Sequence, residues 1–211
     1  MIQALVFDLD GTLVDTRHHV DMLRDAYSAA FPHRPPRPYS DYIKCYSMTV
    51  PELFRFLELD PGQARRYWEL YLSLEPEGGA RLFPGAAAVL KEAKGRGLLL
   101  GINTSRARED LEVTRRELGE AYQLFDYIVT ATDVENPKPA ADPLRLFCRL
   151  SALRPEEVLY IGDGRVDSAC AQAAGCPFAA AGWGTFLTPG ELPAQYWPVR
   201  VEQVLDIARG S

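Results

Sequence analysis

The chain has 211 residues, 47% of them hydrophobic and 25% charged, which suits a globular protein with one good core and a modest second domain. Its net charge of −6 argues against a general nucleic-acid-binding protein, which usually presents a basic surface. That charge still permits an anionic substrate, because a small cationic pocket is a local feature.

The sequence shows neither a targeting segment nor a metal-binding cysteine pattern. Residues 1–7 lack a basic region and are too short an apolar run for a signal peptide, and no apolar run approaches the roughly 20 residues that span a bilayer. We therefore expect no membrane partner. The four cysteines form no C-x-x-C pair, which argues against a zinc site and favours a reducing cytoplasm.

Short apolar segments alternate with helical patterns along most of the chain. Buried strands are predicted over residues 4–7, 98–102, 127–129, 158–161 and 178–181. Helices are predicted from Pro84 at N1 to Lys94, from Arg106 to Leu118, after Asp142 as N-cap and Pro143 as N1, and from Ser168 to Ala174. This alternation predicts an α/β fold with a doubly wound, Rossmann-like parallel sheet, whose ligands bind at the carboxyl ends of the strands.

One long segment breaks this alternation. It shows helical patterns only, on faces from Val20 to Phe31 and from Tyr67 to Leu74, with a short helix that begins at Pro51. We interpret it as a helical cap domain inserted after the first strand.

The domain boundaries follow from that insertion. We expect residues 1–16 and 79–211 to form the core domain and residues 17–78 to form the cap. A cap of this kind can close over a site on the core domain. Arg34 and Arg37 lie in a proline-rich loop of the insert and are expected to be solvated charges rather than a binding patch.

Two carboxylates directly follow the first predicted strand. Asp8 and Asp10 are two residues apart, so on an extended chain both point toward one site, and Gly11 allows a sharp turn that exposes them. Such a pair can divide the chemistry, because one carboxylate can attack while the other donates or accepts a proton. A solvated turn is the alternative interpretation, since Asp and Gly are common in turns.

A second acidic pair follows the fourth predicted strand. Asp163 and Asp167 are four residues apart and can share one side of a helix start, although helix capping alone also explains acidic residues there. Both acidic pairs end strands of one parallel sheet, where their carboxylates would repel one another unless a hard cation lies among them. Ligands that are all oxygen suit Mg²⁺, which is the predicted cofactor.

Candidate phosphate-binding residues end the second strand and lie in a later loop. The hydroxyls of Thr104 and Ser105, and the backbone amides that open the next helix, could hold phosphate oxygens. Lys138 lies between two prolines that stiffen its loop, and it could offset charge on a phosphate and on the carboxylates. Each element alone is more often a helix cap or a surface loop.

Together these residues resemble the haloacid dehalogenase-like hydrolase superfamily, and in particular its phosphoglycolate phosphatase-like branch. The resemblance spans nearly the whole chain, and the helical insert resembles that superfamily's cap of the first type. Four motifs match in order and spacing: Asp8-x-Asp10-Gly11-Thr12-Leu13-x-Asp15, Thr104, Lys138-Pro139 and Gly162-Asp163-x-x-x-Asp167.

The resemblance implies a magnesium-dependent phosphatase that forms a phospho-aspartate. It implies that Asp8 is the nucleophile and that Asp10 protonates the leaving oxygen and then activates water. It also implies that Thr104, with Ser105 beside it, binds the phosphoryl group and that Lys138 orients Asp8.

The resemblance also implies the ligands of the metal. Mg²⁺ would be held by the Asp8 carboxylate, the Asp10 backbone carbonyl and Asp163, with Asp167 as a ligand or a support. The substrate would be a small phosphorylated metabolite, with phosphoglycolate as first candidate and with nucleotide monophosphates and sugar phosphates open. The sequence does not indicate an oligomeric state.

Three other functions must be distinguished from a phosphatase. A carbon–halogen hydrolase is disfavoured, because those enzymes replace the second Asp of the first motif, which is Asp10 here. A sugar-phosphate mutase would use the same residues, but the insert lacks a clear basic cluster that could clamp a second phosphate. A non-catalytic binding module on the same fold has no need for both Asp8 and Asp10.

Overall fold

The computed structural model describes residues 1–46, 48–74 and 79–210. The chain divides into two compact units, of which the first comprises Met1–Asp15 and Ala80–Ser211 and the second comprises Thr16–Gly79.

The described strands and helices are numbered here in chain order. The strands are β1 Ala4–Phe7, β2 Val14–Asp15, β3 Arg81–Leu82, β4 Leu99–Asn103, β5 Tyr127–Val129, β6 Val158–Gly162 and β7 Phe178–Ala180. The helices are α1 His19–Ala30, α2 Tyr39–Tyr46, α3 Val50–Phe56, α4 Pro61–Ser73, α5 Ala86–Gly95, α6 Leu111–Leu118, α7 Asp142–Ser151, α8 Arg165–Ala174 and α9 Val204–Arg209.

The first unit is built on a parallel sheet in the order β5-β4-β1-β6-β7. Successive residues of a strand point to opposite faces, and on β1 Leu5 and Phe7 join one apolar cluster while Ala4 and Val6 join another. Helices α5 and α9 pack into the first cluster and α7 and α8 into the second, so both faces of the sheet are covered. This arrangement confirms the predicted doubly wound parallel sheet.

Several predicted helix starts were wrong, and the structure gives a reason for each. Helix α5 begins at Ala86, not Pro84, because Gly85 has φ 84°, which a helix cannot include. Asp142 is the first residue of α7 and not its N-cap, and its carboxylate accepts a hydrogen bond from the Asn136 amide at 3.0 Å. Helix α6 begins at Leu111 because a short 3₁₀ turn, Arg108–Asp110, precedes it.

Helix α8 also begins earlier than predicted, at Arg165 instead of Ser168. Gly164 before it is extended, and its backbone N–H donates to Asp167 Oδ2 at 3.0 Å, so the Asp167 side chain caps the helix from within its first turn. The helix ends at Gly175 in the left-handed region with φ 79°, as a C-terminal glycine predicts.

In its described residues, the second unit is helical, from α1 to α4, and α2 was not predicted. Arg34 and Arg37, which were expected to be solvated charges, are partly exposed, and each also contacts an aromatic ring. The Arg34 guanidinium lies 4.5 Å from the Phe31 ring centroid, and that of Arg37 lies 5.7 Å from the Phe56 ring centroid. Both cations pack on aromatic faces, which attract a positive charge.

Two further features concern the cysteines and the possibility of a membrane-spanning helix. All four cysteines are buried free thiols. Within the ranges that the structure describes, every helix is too short or too polar to cross a bilayer.

Gly101 on β4 allows close packing of α7 against the sheet, and its substitution tests that packing. A Cβ there would lie 2.3 Å from Phe147 Cε2, so we expect Gly101→Ala to lower the free energy of unfolding by about 1–3 kcal/mol through overpacking. Urea denaturation measures this difference. Gly95→Ala is the matched control, because its Cβ meets no atom within 4 Å and Ala favours the helix by about 0.5–1 kcal/mol. Equal urea midpoints for the two variants would contradict the packing.

Candidate active site

The loop after β1 is held so that its carboxylates lie at the end of the sheet. The Asp8 backbone N–H donates to the Ile161 carbonyl of β6 at 2.8 Å, which continues the strand pairing by one residue. Gly11 then turns the chain with φ 71°, and its N–H donates to the Val14 carbonyl at 2.9 Å. Asp8 is buried, whereas Asp10 is partly exposed.

A C-terminal segment supports this loop and was not predicted. The Trp183 indole N–H donates to the Thr12 carbonyl at 2.8 Å. Gly184 lies so close to the loop that a Cβ there would be 1.8 Å from the Gly11 carbonyl oxygen. The Thr185 hydroxyl donates to the Asp163 carbonyl at 2.7 Å. These contacts tie one short segment to both carboxylate-bearing loops.

Lys138 joins two of the predicted carboxylates. Its Nζ donates to Asp8 Oδ1 and to Asp167 Oδ1, each at 2.8 Å, and its side chain is only 3% exposed. Burial alone would lower the pKa of Lys138, but Asp167 and Asp8 together raise it, so the ammonium stays charged. Lys138 therefore lies in direct contact with Asp8, as a charged ammonium.

Tyr160 completes the contacts of that ammonium and was missed from the sequence. Its hydroxyl donates to Asp167 Oδ1 at 2.7 Å and accepts from Lys138 Nζ at 3.3 Å. Burial and the neighbouring carboxylates of Asp167 and Asp8 raise the pKa of Tyr160 well above its ordinary value, so the phenol remains a donor. In the sequence it is one apolar residue of a predicted strand, and only the fold brings it to Asp167.

Three carboxylates gather beside Lys138. One oxygen from each of Asp8, Asp163 and Asp167 lies within 4.8 Å of the other two. Burial, reinforced by Asp167 and opposed by Lys138, raises the pKa of Asp8 to about 7. Burial and the charges of Asp167 and Asp8 likewise raise the pKa of Asp163.

This cluster fits a hard divalent cation. Its three carboxylates and one ammonium leave an excess of two negative charges, and its donors are all oxygen. A divalent ion would balance that excess and offset the mutual repulsion that adds to burial in raising the pKa values of Asp8 and Asp163. The cluster can therefore hold a metal ion.

The predicted phosphate-binding residues differ in exposure. Thr104 is buried at the end of β4, where its backbone N–H donates to the Val129 carbonyl at 3.0 Å and its hydroxyl accepts from the Arg106 backbone N–H at 3.1 Å. Ser105 beside it is exposed.

Asp10 lies outside the carboxylate cluster and has its own cation. Arg106 donates to Asp10 through Nε at 2.9 Å and through Nη2 at 2.6 Å, a bidentate pair. Arg106 also donates through Nη1 to Glu117 Oε2 at 2.5 Å. Arg106 and Glu117 were not predicted as site residues.

The structure thus brings some predicted site residues together and keeps others apart. Asp8, Lys138, Asp163 and Asp167 converge in one cluster. The other predicted residues lie outside it: Asp10 and Thr104 both contact Arg106, and Ser105 faces solvent.

Comparison with known proteins identifies relatives over most of the chain. The family model of haloacid dehalogenase-like hydrolases matches residues 5–181. Pyrophosphatase PpaX of Bacillus mycoides is 30% identical over 86% of this chain and 84% of that protein. A phosphoglycolate phosphatase of Shigella boydii is 33% identical over 57% of this chain and 47% of that protein.

Solved structures share the fold. A putative phosphoglycolate phosphatase from Lactobacillus plantarum superposes with a TM-score of 0.81 at 24% identity, over 98% of this chain and 99% of that chain. CbbY from Rhodobacter sphaeroides, solved in complex with phosphate, superposes with a TM-score of 0.72 at 26% identity, over 97% of this chain and 96% of that chain. These matches confirm the resemblance inferred from the four motifs. The chain belongs to the haloacid dehalogenase-like hydrolase family.

Proposed function

We propose that this protein is a Mg²⁺-dependent phosphatase that hydrolyses a small phosphorylated metabolite through a phospho-aspartate on Asp8. The observation that carries the proposal is the buried Asp8 carboxylate, hydrogen-bonded by Lys138 and lying within 4.8 Å of the Asp163 and Asp167 carboxylate oxygens. The named phosphatases among its relatives support the same reaction class, hydrolysis of phosphate esters.

The two carboxylate oxygens of Asp8 have different proposed roles, because one is hydrogen-bonded to Lys138 and the other can attack phosphorus. Lys138 occupies Oδ1, so Oδ2 is the proposed nucleophile toward phosphorus. Burial opposes ionisation of Asp8, and the Lys138 ammonium favours it, which keeps a carboxylate available in a poorly hydrated place. In the first step a bond forms between this oxygen and phosphorus while the bond from phosphorus to the leaving oxygen breaks.

Asp10 is the proposed acid and base. In the first step it gives a proton to the leaving oxygen, and in the second it takes a proton from the water that attacks the phospho-aspartate. The second step releases inorganic phosphate and restores Asp8, and the proton taken from water serves the next turnover. Its partly exposed side chain, 39% accessible, suits a group that must meet both substrate and water.

The metal has proposed ligands in this chain. The carboxylates of Asp8 and Asp163 and the Asp10 backbone carbonyl would hold Mg²⁺, with Asp167 as a ligand or support. When bound, the ion would neutralise charge on the phosphoryl group and its surroundings. Thr104 is proposed to bind the phosphoryl group, with Ser105 beside it.

The helical unit, Thr16–Gly79, is proposed to act as the cap that supplies contacts to the leaving group. Phosphoglycolate is the first candidate substrate, in line with the phosphoglycolate phosphatase that is 33% identical over part of this chain. Inorganic pyrophosphate is the second, because pyrophosphatase PpaX is 30% identical over 86% of the chain. A cytoplasmic location is part of this proposal.

Substitution of the nucleophile tests the mechanism. We expect Asp8→Asn to lower Mg²⁺-dependent hydrolysis of p-nitrophenyl phosphate by at least about 10³-fold, because the amide cannot form the phospho-aspartate. EDTA should abolish the wild-type rate, and Mg²⁺ should restore it. Asp25→Asn is the matched control, since Asp25 is an exposed carboxylate that pairs with Arg24. A wild type without a Mg²⁺-dependent rate, or an active Asp8→Asn, would refute the mechanism.

Thermal unfolding tests the metal site without turnover. At a Mg²⁺ concentration about 100 times its Kd, binding to the folded state adds about 2.7 kcal/mol and should raise Tm by about 5–10 °C. Asp163→Asn removes one of the three clustered carboxylates, so most of this shift should disappear. Scans in NaCl of equal ionic strength control for screening, and an undiminished shift in Asp163→Asn would exclude this cluster as the site.

Product analysis distinguishes a phosphatase, which releases inorganic phosphate, from a sugar-phosphate mutase, which transfers the phosphoryl group back to a sugar. A structure of CbbY that holds xylulose-(1,5)bisphosphate, 26% identical to this chain, makes sugar phosphates worth including. We expect sustained release of inorganic phosphate from a panel of monophosphates and pyrophosphate, ranked by kcat/KM, with no isomerised sugar phosphate. An isomerised product formed faster than phosphate would favour the mutase instead.

A further inference from the structure

We infer that Arg106, itself held by Glu117, is a positioning residue that aims the Asp10 carboxylate during hydrolysis of the phospho-aspartate. This inference rests on the proposed function, in which Asp10 activates the attacking water. It concerns residues of the first unit only, and neither Arg106 nor Glu117 belongs to the four motifs of the sequence analysis.

The contact between Arg106 and Asp10 fixes both position and direction. Nε reaches Asp10 Oδ2 at 2.9 Å and Nη2 reaches Asp10 Oδ1 at 2.6 Å, so the two planar groups meet in a fork. Two parallel charge-assisted hydrogen bonds define the plane of the carboxylate, which a single contact would leave free to rotate.

Arg106 has no N–H left over for a substrate in this arrangement. A guanidinium carries five N–H donors. One at Nε and one at Nη2 go to Asp10, the other at Nη2 goes to Glu117 at 3.3 Å, and those at Nη1 go to Glu117 at 2.5 Å and to the Thr114 hydroxyl at 3.4 Å. The side chain is therefore committed to protein groups, and its function is exerted through Asp10.

Burial increases from one end of this chain of charges to the other. The Asp10 side chain is 39% exposed, that of Arg106 17% and that of Glu117 6%. Glu117 and Thr114 are three residues apart on α6 and so share one face of the helix. The buried end anchors Arg106 on that helix, and the exposed end presents Asp10.

The contact between Arg106 and Asp10 suits the second step, hydrolysis of the phospho-aspartate, more than the first step. With both oxygens held by one guanidinium, the Asp10 carboxylate keeps a fixed plane while it takes a proton from water in the proposed second step. To protonate a leaving group, Asp10 must carry a proton on one oxygen, which makes that oxygen a weaker acceptor for the guanidinium. Glu117 keeps Arg106 paired and in place meanwhile, and Asp10 can then return to the same position.

The experiment uses p-nitrophenyl phosphate, whose p-nitrophenolate leaves without needing a proton, so formation of the phosphoenzyme does not depend on Asp10. We expect Arg106→Gln to lower kcat by about 10- to 100-fold, a part of the 10²–10⁴ that a general base contributes, with kcat/KM nearly unchanged. A burst of one p-nitrophenolate per site and acid-stable phosphoenzyme should appear. Arg106→Lys keeps the charge but loses the bidentate contact, so its kcat should lie between those of the wild type and Arg106→Gln.

Two further variants make the result decisive. Arg108→Gln is the matched control and should keep wild-type kinetics, because Arg108 forms the same bidentate pair with Asp133 at the exposed surface. Arg106→Gln removes one cation from beside the buried Glu117, so the double variant R106Q/E117Q repeats the test with both charges removed and should show the same burst.

The outcomes separate this inference from the proposed function. A wild type that hydrolyses no phosphate ester overturns both. An active wild type whose R106Q and R106Q/E117Q variants show unchanged kcat, or equal losses in kcat and kcat/KM without a burst, overturns the role of Arg106 alone and leaves the phosphatase standing.

Discussion

The ammonium of Lys138 lies between the carboxylates of Asp8 and Asp167, each 2.8 Å away, and the candidate site is organised around it. Without this cation, three carboxylates at the end of one sheet would repel one another in a place with little water. With it, the three carboxylates in their ionised form leave an excess of two negative charges, which a divalent cation would balance. One buried cation therefore makes the cluster stable enough to fold while keeping it attractive to a metal.

The parallel sheet explains why these groups meet. Asp8 ends β1, and Asp163 and Asp167 follow β6, which pairs directly with β1. Tyr160 lies on β6 and donates to Asp167, so part of the support comes from the same strand. In a parallel sheet all strands end at one edge, and a short polar sequence after each strand is sufficient to build a site there.

Asp8 and Asp10 are two residues apart yet have different counter-ions. Lys138 contacts Asp8 in the buried cluster, and Arg106 contacts Asp10 at its margin. Two neighbouring carboxylates that share one cation influence each other's ionisation, whereas separate cations suit the different roles proposed for Asp8 and Asp10. The positive φ of Gly11 and the tight approach of Gly184 hold the turn that follows Asp10.

The sequence by itself determined the parallel sheet and the residue types of the site, because buried strands are apolar runs and each catalytic motif is a short local pattern. It could not determine what lies opposite those residues. Arg106 meets Asp10 across 96 positions and Tyr160 meets Asp167 only through the register of a strand and a helix, so neither contact leaves a local signal. Helix starts were also decided by tertiary structure: Gly85 adopts a positive φ where a Cβ would lie 2.3 Å from Glu202 Oε1. Local sequence specifies which side chains lie at the end of a strand, and packing between distant segments decides which residue each of them contacts.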